Sequence, residues 1–319
     1  MIFLNQISSV VRKSVATGDT SYTVAVQIGS TWIVNSASMV KEGSYWVLRG
    51  VEELARAQME LAGNCITSYK VEWFRNGSDQ PSDTEGMVLY APGVMSKPIL
   101  LTADSLCNNY FLTHLKSGWA KKGAWYTLNY YCAESTGYTI VYTKGDGTTS
   151  TVTGTATVGS VDQLTLYGAT GAVKAEVTMG SRTFTVYYLD MVESVQFRYR
   201  NPFNAIDMFY LPCSVTEEPS TDFEVASQGN VESRYDVEEQ LEVKVKTAPL
   251  PALMYKRLLD LCRSRSIECQ WSQSVYGSLQ EVYLKDYKFI RSSDPNSTVV
   301  LEMTMVYSDK RKRSAINFE

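Results

Sequence analysis

One histidine, His114, stands in the whole chain. A Ser-His-Asp relay or a histidine-rich metal centre would have to rest on that single side chain. It lies in Tyr110-Phe111-Leu112-Thr113-His114-Leu115 among apolar neighbours, with no Glu or Cys at metal-ligand spacing, and reads as a structural histidine. Six cysteines (Cys65, Cys107, Cys132, Cys213, Cys262, Cys269) are scattered without a C-x-x-C pair; the closest two, Cys262 and Cys269, are separated by six residues. Free buried thiols are the expectation, with no metal and no cofactor. Gly168-Ala169-Thr170-Gly171 falls between two strand patterns, not before a helix that could cradle a phosphate, and reads as a hairpin turn. No G-x-x-x-x-G-K-[ST], G-x-S-x-G or H-E-x-x-H occurs.

Acid pairs are present: Glu52-Glu53, Glu217-Glu218 and Glu238-Glu239. Glycoside chemistry needs two carboxylates about 5 to 9.5 Å apart across a cleft, which sequence neighbours do not supply. They read as solvated surface. The run Asp309-Lys310-Arg311-Lys312-Arg313 is the one strongly basic stretch. It reads as a solvated end or a rim contact to an acidic neighbour rather than a nucleic-acid site. Asn76-Gly77-Ser78 and Asn296-Ser297-Thr298 match the glycosylation sequon. The start, MIFLNQISSVVRKS, lacks a basic segment followed by a sustained apolar one, so no signal peptide is expected and the sequons carry no message.

Over 319 residues, 30 Lys+Arg against 34 Asp+Glu leave a formal net charge of −4, which argues against a dedicated nucleic-acid binder. No run approaches the ~18 apolar residues needed to span a bilayer. The aromatic share of 12%, rich in Tyr, suits half-buried sheets and subunit contacts alike.

These residues must be positioned by a mainly β, α+β framework in three parts. In residues 1–122, Ser21 to Ile28 alternates with period 2, Trp32-Ile33-Val34 follows the Gly29-Ser30 turn, and Tyr69 to Arg75 and Gly86 to Tyr90 are extended, as is Lys97 to Leu101. A helix with Val51, Leu54, Ala55, Gln58 and Met59 on one face lies between them. Residues 123–191 are rich in Thr and Tyr. Tyr138–Thr143 faces Thr148–Thr153 across Lys144-Gly145-Asp146-Gly147, and further strands recur at about 10-residue spacing, as in an immunoglobulin-like β-sandwich. In residues 192–319, Ser194–Arg200 and Leu241–Lys246 alternate cleanly, and strands run from Glu281 to Ile290 and Thr298 to Tyr307. Between them Pro249 and Pro251 open a helix to Arg265 with the stripe Leu250, Leu253, Met254, Leu258, Leu261 and Cys262. Lys256, Arg257, Arg263 and Arg265 load its later turns, where the helix dipole favours them.

Three stretches together carry a resemblance. They are Asn108–Thr113 followed by Trp125-Tyr126-Thr127-Leu128, then Val195–Asn204 leading into Met208-Phe209-Tyr210, and finally Val300–Lys310. The arrangement resembles tail or baseplate proteins of phages and prophages of Bacteroidetes. The resemblance implies a virion structural protein, of distal-tail or hub kind, without catalysis or cofactor. It implies a C-terminal β-sandwich module similar to the tail-tube module, packed side by side into a trimeric or hexameric ring, with the helix outside and the middle sandwich as a decoration. The implied partners are copies of itself and neighbouring tail-tube and baseplate proteins, with no membrane and only passive passage of DNA. The implied place is the virion tail, assembled in the host bacterial cytoplasm. The usual distal-tail order puts the ring-forming module first, and this chain departs from it. The amphipathicity of Leu241–Lys246, Leu250–Arg265 and Val299–Tyr307 nominates Val243, Val245, Leu258, Leu301, Met303 and Met305 as assembly-interface residues. An alternative is a carbohydrate-binding or adhesion module, because the aromatic residues of the sandwich can stack on sugars. A hydrolase using a carboxylate pair is a further, weaker alternative, with no feature that selects the pair.

Overall fold

The computed structural model describes residues 1–77, 82–91, 102–113, 115–168, 171–228, 231–271, 278–291, 298–308 and 311–312; His114, the whole 97–101 stretch and Asn296 lie outside them.

The N-terminal unit is a five-stranded sheet ordered Ile2–Phe3, Ser82–Leu89, Ile66–Arg75, Tyr22–Ile28, Thr31–Ser38, antiparallel except at its first pair. Alternation drives Val24, Val26, Val71 and Trp73 into one core. Helix α1 (Ile7–Val10) and helix α2 (Val51–Ala62) cover it, the latter through Val51, Ala55 and Met59 at spacing i, i+4, i+8. Leu54, expected on that face, is 46% exposed instead, because a three-residue stripe at this spacing already fills the width of helix that the sheet covers. Glu52 and Glu53 sit in the first turn of α2, where the helix dipole favours them. That accounts for one acid pair.

The middle unit has two sheets enclosing a core of Leu128, Leu166, Val177, Phe184 and Tyr188. One is five-stranded, ordered Thr149–Thr155, Gly137–Lys144, Ala172–Met179, Arg182–Leu189, Ser117–Lys121; the other pairs Trp125–Tyr131 with Val161–Tyr167. The Gly145–Gly147 turn forms the expected hairpin, with Gly147 at φ 85° and Asp146 accepting from the Thr148 amide at 2.9 Å. The hairpin expected at Gly168–Gly171 is not formed, since the flanking strands Val161–Tyr167 and Ala172–Met179 lie in different sheets; Ala169 and Thr170 lie outside the described residues. Gly168 is required there because a Cβ would stand 2.6 Å from the Tyr188 ring. Strand Ser117–Lys121 precedes the expected 122/123 boundary, yet it pairs in parallel with Arg182–Leu189 and belongs to this sheet.

In the C-terminal unit the strands Ser194–Arg200, Ile206–Gln228, Val231–Thr247, Thr298–Tyr307, Gln280–Arg291 and Ile267–Trp271 pair antiparallel in that order, and the last returns to the first. The sheet therefore closes on itself as a barrel, which removes its open edges. Helix α4 (Tyr255–Arg263) contributes Leu258, Leu261 and Cys262 to its core. The helix begins five residues later than expected, because Leu250–Pro251 pairs as a short strand with Val299 and Thr298, followed by a 3-10 turn over Ala252–Met254. No described N-terminal strand joins the barrel.

This closure corrects the nominated interface. Val243, Val245, Leu258, Leu301, Met303 and Met305 are all inside the barrel core of the single chain, none more than 4% exposed. Side chains enclosed this way have no surface to offer a neighbour, and an Asp at Val243 or Leu258 would unfold the barrel rather than separate subunits.

Candidate functional site: the junction and the ribbon

Beyond the three cores lies a fourth, assembled from all three units: Phe3, Cys65 and Leu89, then Leu106, Leu112 and Tyr131, then Phe203 and Ala205. Its organiser is the Asn201-Pro202-Phe203-Asn204 turn, part of the stretch that carried the resemblance. The Asn201 side-chain amide donates to the Leu112 carbonyl at 2.7 Å, while its oxygen accepts from the Phe203 and Ala205 amides at 2.9 and 3.1 Å. Asn204 adopts φ 60°, a conformation Asn tolerates better than most residues. From there its amide donates to the Met59 and Asn64 carbonyls at 3.0 and 3.2 Å, at the end of α2. Arg200 donates to the carbonyls of Gly63 and Asn204. One turn thus fastens barrel to N-terminal unit and to the segment entering the sandwich.

Two buried guanidiniums reinforce it. Arg182, 3% exposed, donates to the carbonyls of Cys107 and Tyr131 at 2.5 and 2.7 Å. Cys107 lies in the last turn of helix α3 (Ala103–Asn109), where a cation answers the helix dipole. Arg257, 1% exposed, lies over Phe209 at 4.4 Å and Tyr126 at 5.4 Å and donates to the Met208 carbonyl at 3.3 Å. Burial opposes its charge, but the surrounding Tyr126, Tyr199 and Asp207 raise its pKa above the ordinary value. Asp207 is itself buried, and Asn129 of the sandwich donates to it at 3.4 Å and to the Ile206 carbonyl at 2.7 Å. The sequence pattern groups Arg257 with the cations that load the helix's later turns. Its position, three after Met254 and four before Leu261, already put it on the apolar stripe.

A cleft of about 400 Å³ lies beside the turn, lined by Glu60, Tyr90, Arg200, Asp260, Arg263 and Arg265. Across it Arg265 pairs with Glu60, and the Tyr90 hydroxyl donates to the same carboxylate at 2.5 Å. The remaining candidates are also structural. Glu217 and Glu218 point to opposite sides of their strand, one accepting from the Tyr307 hydroxyl at 3.2 Å and the other pairing with Lys244 at 2.5 Å. Glu238 and Glu239 stand in register with Lys312 and Arg311, two residues of the basic run. Asn76 accepts from Thr20 and Ser21 and donates to the Gly18 carbonyl, which locks a turn. All six cysteines are buried and free. Among the described residues no group of three or more His, Cys, Asp or Glu can hold a metal ion, and no helix is long and apolar enough to cross a membrane.

The most distinctive feature is the hairpin of Ile206–Gln228 and Val231–Thr247. Up to Glu218 and from Glu242 its strands are barrel staves; beyond them, among the described residues, Pro219–Gln228 and Val231–Leu241 pair with each other and with two further residues, Arg311 and Lys312. Ten residues of strand reach about 30 Å. A two-stranded ribbon is marginal in water by itself and calls for something to lie against.

No family model and no curated protein matches the sequence. Among solved structures the chain is similar to one in the structure of the phage P2 baseplate in its activated conformation with Ca. The identity is 12% and the TM-score 0.25, over 36% of this chain and 44% of that one. The likeness spans less than half of that chain and carries no part of the functional reading.

Proposed function

We propose that this chain is a virion structural protein of a phage tail tip or baseplate, a ring subunit of distal-tail or hub kind that works by assembly rather than catalysis. The observation that carries the reading is the ribbon: a closed barrel has no edge to share, so the hairpin that outgrows it is the part of the barrel unit that can reach a neighbouring copy. Three units fastened through one turn suit a part that must hold its shape under load. On the barrel's charged surface, Lys246 pairs with Glu302 at 2.7 Å, and Lys244 and Lys285 pair with Glu218 and Glu242 at 2.5 Å. Such local neutralisation suits passive DNA passage, not specific binding. The partners are copies of itself and adjoining tail-tube and baseplate proteins, and the link to Bacteroidetes phages rests on the three sequence stretches. Negative-stain microscopy of the purified chain is the test: closed rings are expected, and isolated particles at every concentration would count against the proposal.

A second reading has its own observation. Trp125, 52% exposed, and Tyr167 stand opposite each other with ring centroids 4.4 Å apart at one end of the sandwich. Exposed aromatic faces can stack on sugar rings. Glycan-array binding by the full chain that disappears in W125A/Y167A would favour a carbohydrate-binding role.

A further inference from the structure

The sheets of this protein treat their edges unequally. Thr31–Ser38 is broken by two register shifts and carries Ser36 at φ 62°. Val40–Glu42 is three residues long and holds Lys41 and Glu42. Ser117–Lys121 lies against the barrel strand Ile206–Gln228. These are the ordinary ways of keeping an edge from recruiting another strand. Thr149–Thr155 has none of them. It is seven residues without charge or proline, paired with Gly137–Lys144 in unbroken register, and nothing pairs on its other side among the described residues. Its one glycine, Gly154, is covered by the ring of Tyr138, which a Cβ there would approach to 2.4 Å. That cross-strand cover keeps the strand regular to its end.

We propose that Thr149–Thr155 is an interaction edge that takes the same strand of a second copy, antiparallel and centred on Val152. The sequence Thr-Ser-Thr-Val-Thr-Gly-Thr is compatible with itself in that register. Val152 meets Val152 of the other copy, Thr151 meets Thr153, Thr149 meets Thr155, and Ser150 meets Gly154. Thr–Thr and Val–Val are favourable cross-strand pairs, and no like charges oppose. Val152, 48% exposed, gains a partner. The contact is isologous and closes as a two-fold, joining two five-stranded sheets. It does not depend on the ribbon or on the ring.

Two measurements on the full chain test it. T151K/T153K places like charges opposite each other across the two-fold at exposed positions, and light scattering should show the assembly's mass falling two-fold, whatever else the copies form. Because all six native cysteines are buried, V152C supplies an accessible thiol at the two-fold, and mild oxidation should give a covalent dimer. T149C, whose two copies would stand about 20 Å apart at 3.4 Å per residue, should give none. An unchanged mass in the lysine variant, or cross-linking that is absent or equal in the two cysteine variants, overturns the proposal, including the case where a foreign strand occupies this edge.

Discussion

Arg257 is the residue whose replacement reports most on how the units are joined. In R257M the apolar side chain fills much of the same space over Phe209 and Tyr126, so packing is largely conserved. What is lost is the cation beside Asp207, a carboxylate only 6% exposed. Removing one member of a buried charge pair costs up to about 3–5 kcal/mol, whereas replacing both by uncharged groups of similar size is near neutral. R257M should therefore lower the urea midpoint by about 2 M at an m-value of about 2 kcal/mol/M, and R257M/D207N should recover most of that loss. Far-UV circular dichroism follows the unfolding. A loss below about 1 kcal/mol in R257M, or no recovery in the double variant, would refute the charge argument and leave Arg257 as packing alone.

Gly63→Ala should destabilise by about 1–2 kcal/mol, because φ is +68°. Its Cβ would also press to 2.7 Å on the Arg200 guanidinium, so limited proteolysis should cut faster at the end of α2. N204A should cost more than N204G, by about 1 kcal/mol for the left-handed backbone, with both losing the hydrogen bonds to Met59 and Asn64; equal losses would mean that the turn relaxes. Burial pushes the thiols of Cys65, Cys107, Cys213, Cys262 and Cys269 up to about 12 from an ordinary 9.0. Above pH 9 the unfolded chain ionises these groups and the folded chain does not. The stability they contribute is thus full below pH 9 and drains between pH 9 and 12, at up to about 1.4 kcal/mol per thiol per pH unit. Urea midpoints at pH 8 and pH 10 measure it, and a flat profile would contradict the burial of the thiols.

Local pattern made much of this fold legible. Tyr22–Ile28 and Ser194–Arg200 alternate because one face of each is buried, and the Gly145–Gly147 turn announces its hairpin through a glycine at positive φ. Barrel closure was not legible, since the pairing of Val243 with Met305 joins residues far apart in sequence and leaves no local mark. Amphipathicity named Val243, Leu258 and Met303 correctly as side chains that leave water. It does not say whether they leave it for the chain's own core or for a neighbour, and the closed barrel answered that. The ribbon was missed because Thr216–Gln228 mixes Glu, Ser and Thr with few apolar residues, so its sequence carries no alternating apolar pattern. Asn201 and Asn204 announced a turn, but not that three units meet on it.

The central claim is that copies join through the ribbon. The most direct measurement is light scattering, over a concentration series, of the full chain beside a variant in which residues 219–241 are replaced by Asn-Gly. That two-residue turn links Glu218 to Glu242, which already face each other in register. The account predicts a closed oligomer for the full chain, with a mass several times 35.7 kDa, and loss of that oligomer in a shortened chain whose barrel unfolds at an unchanged urea midpoint. Equal masses for the two proteins would contradict it.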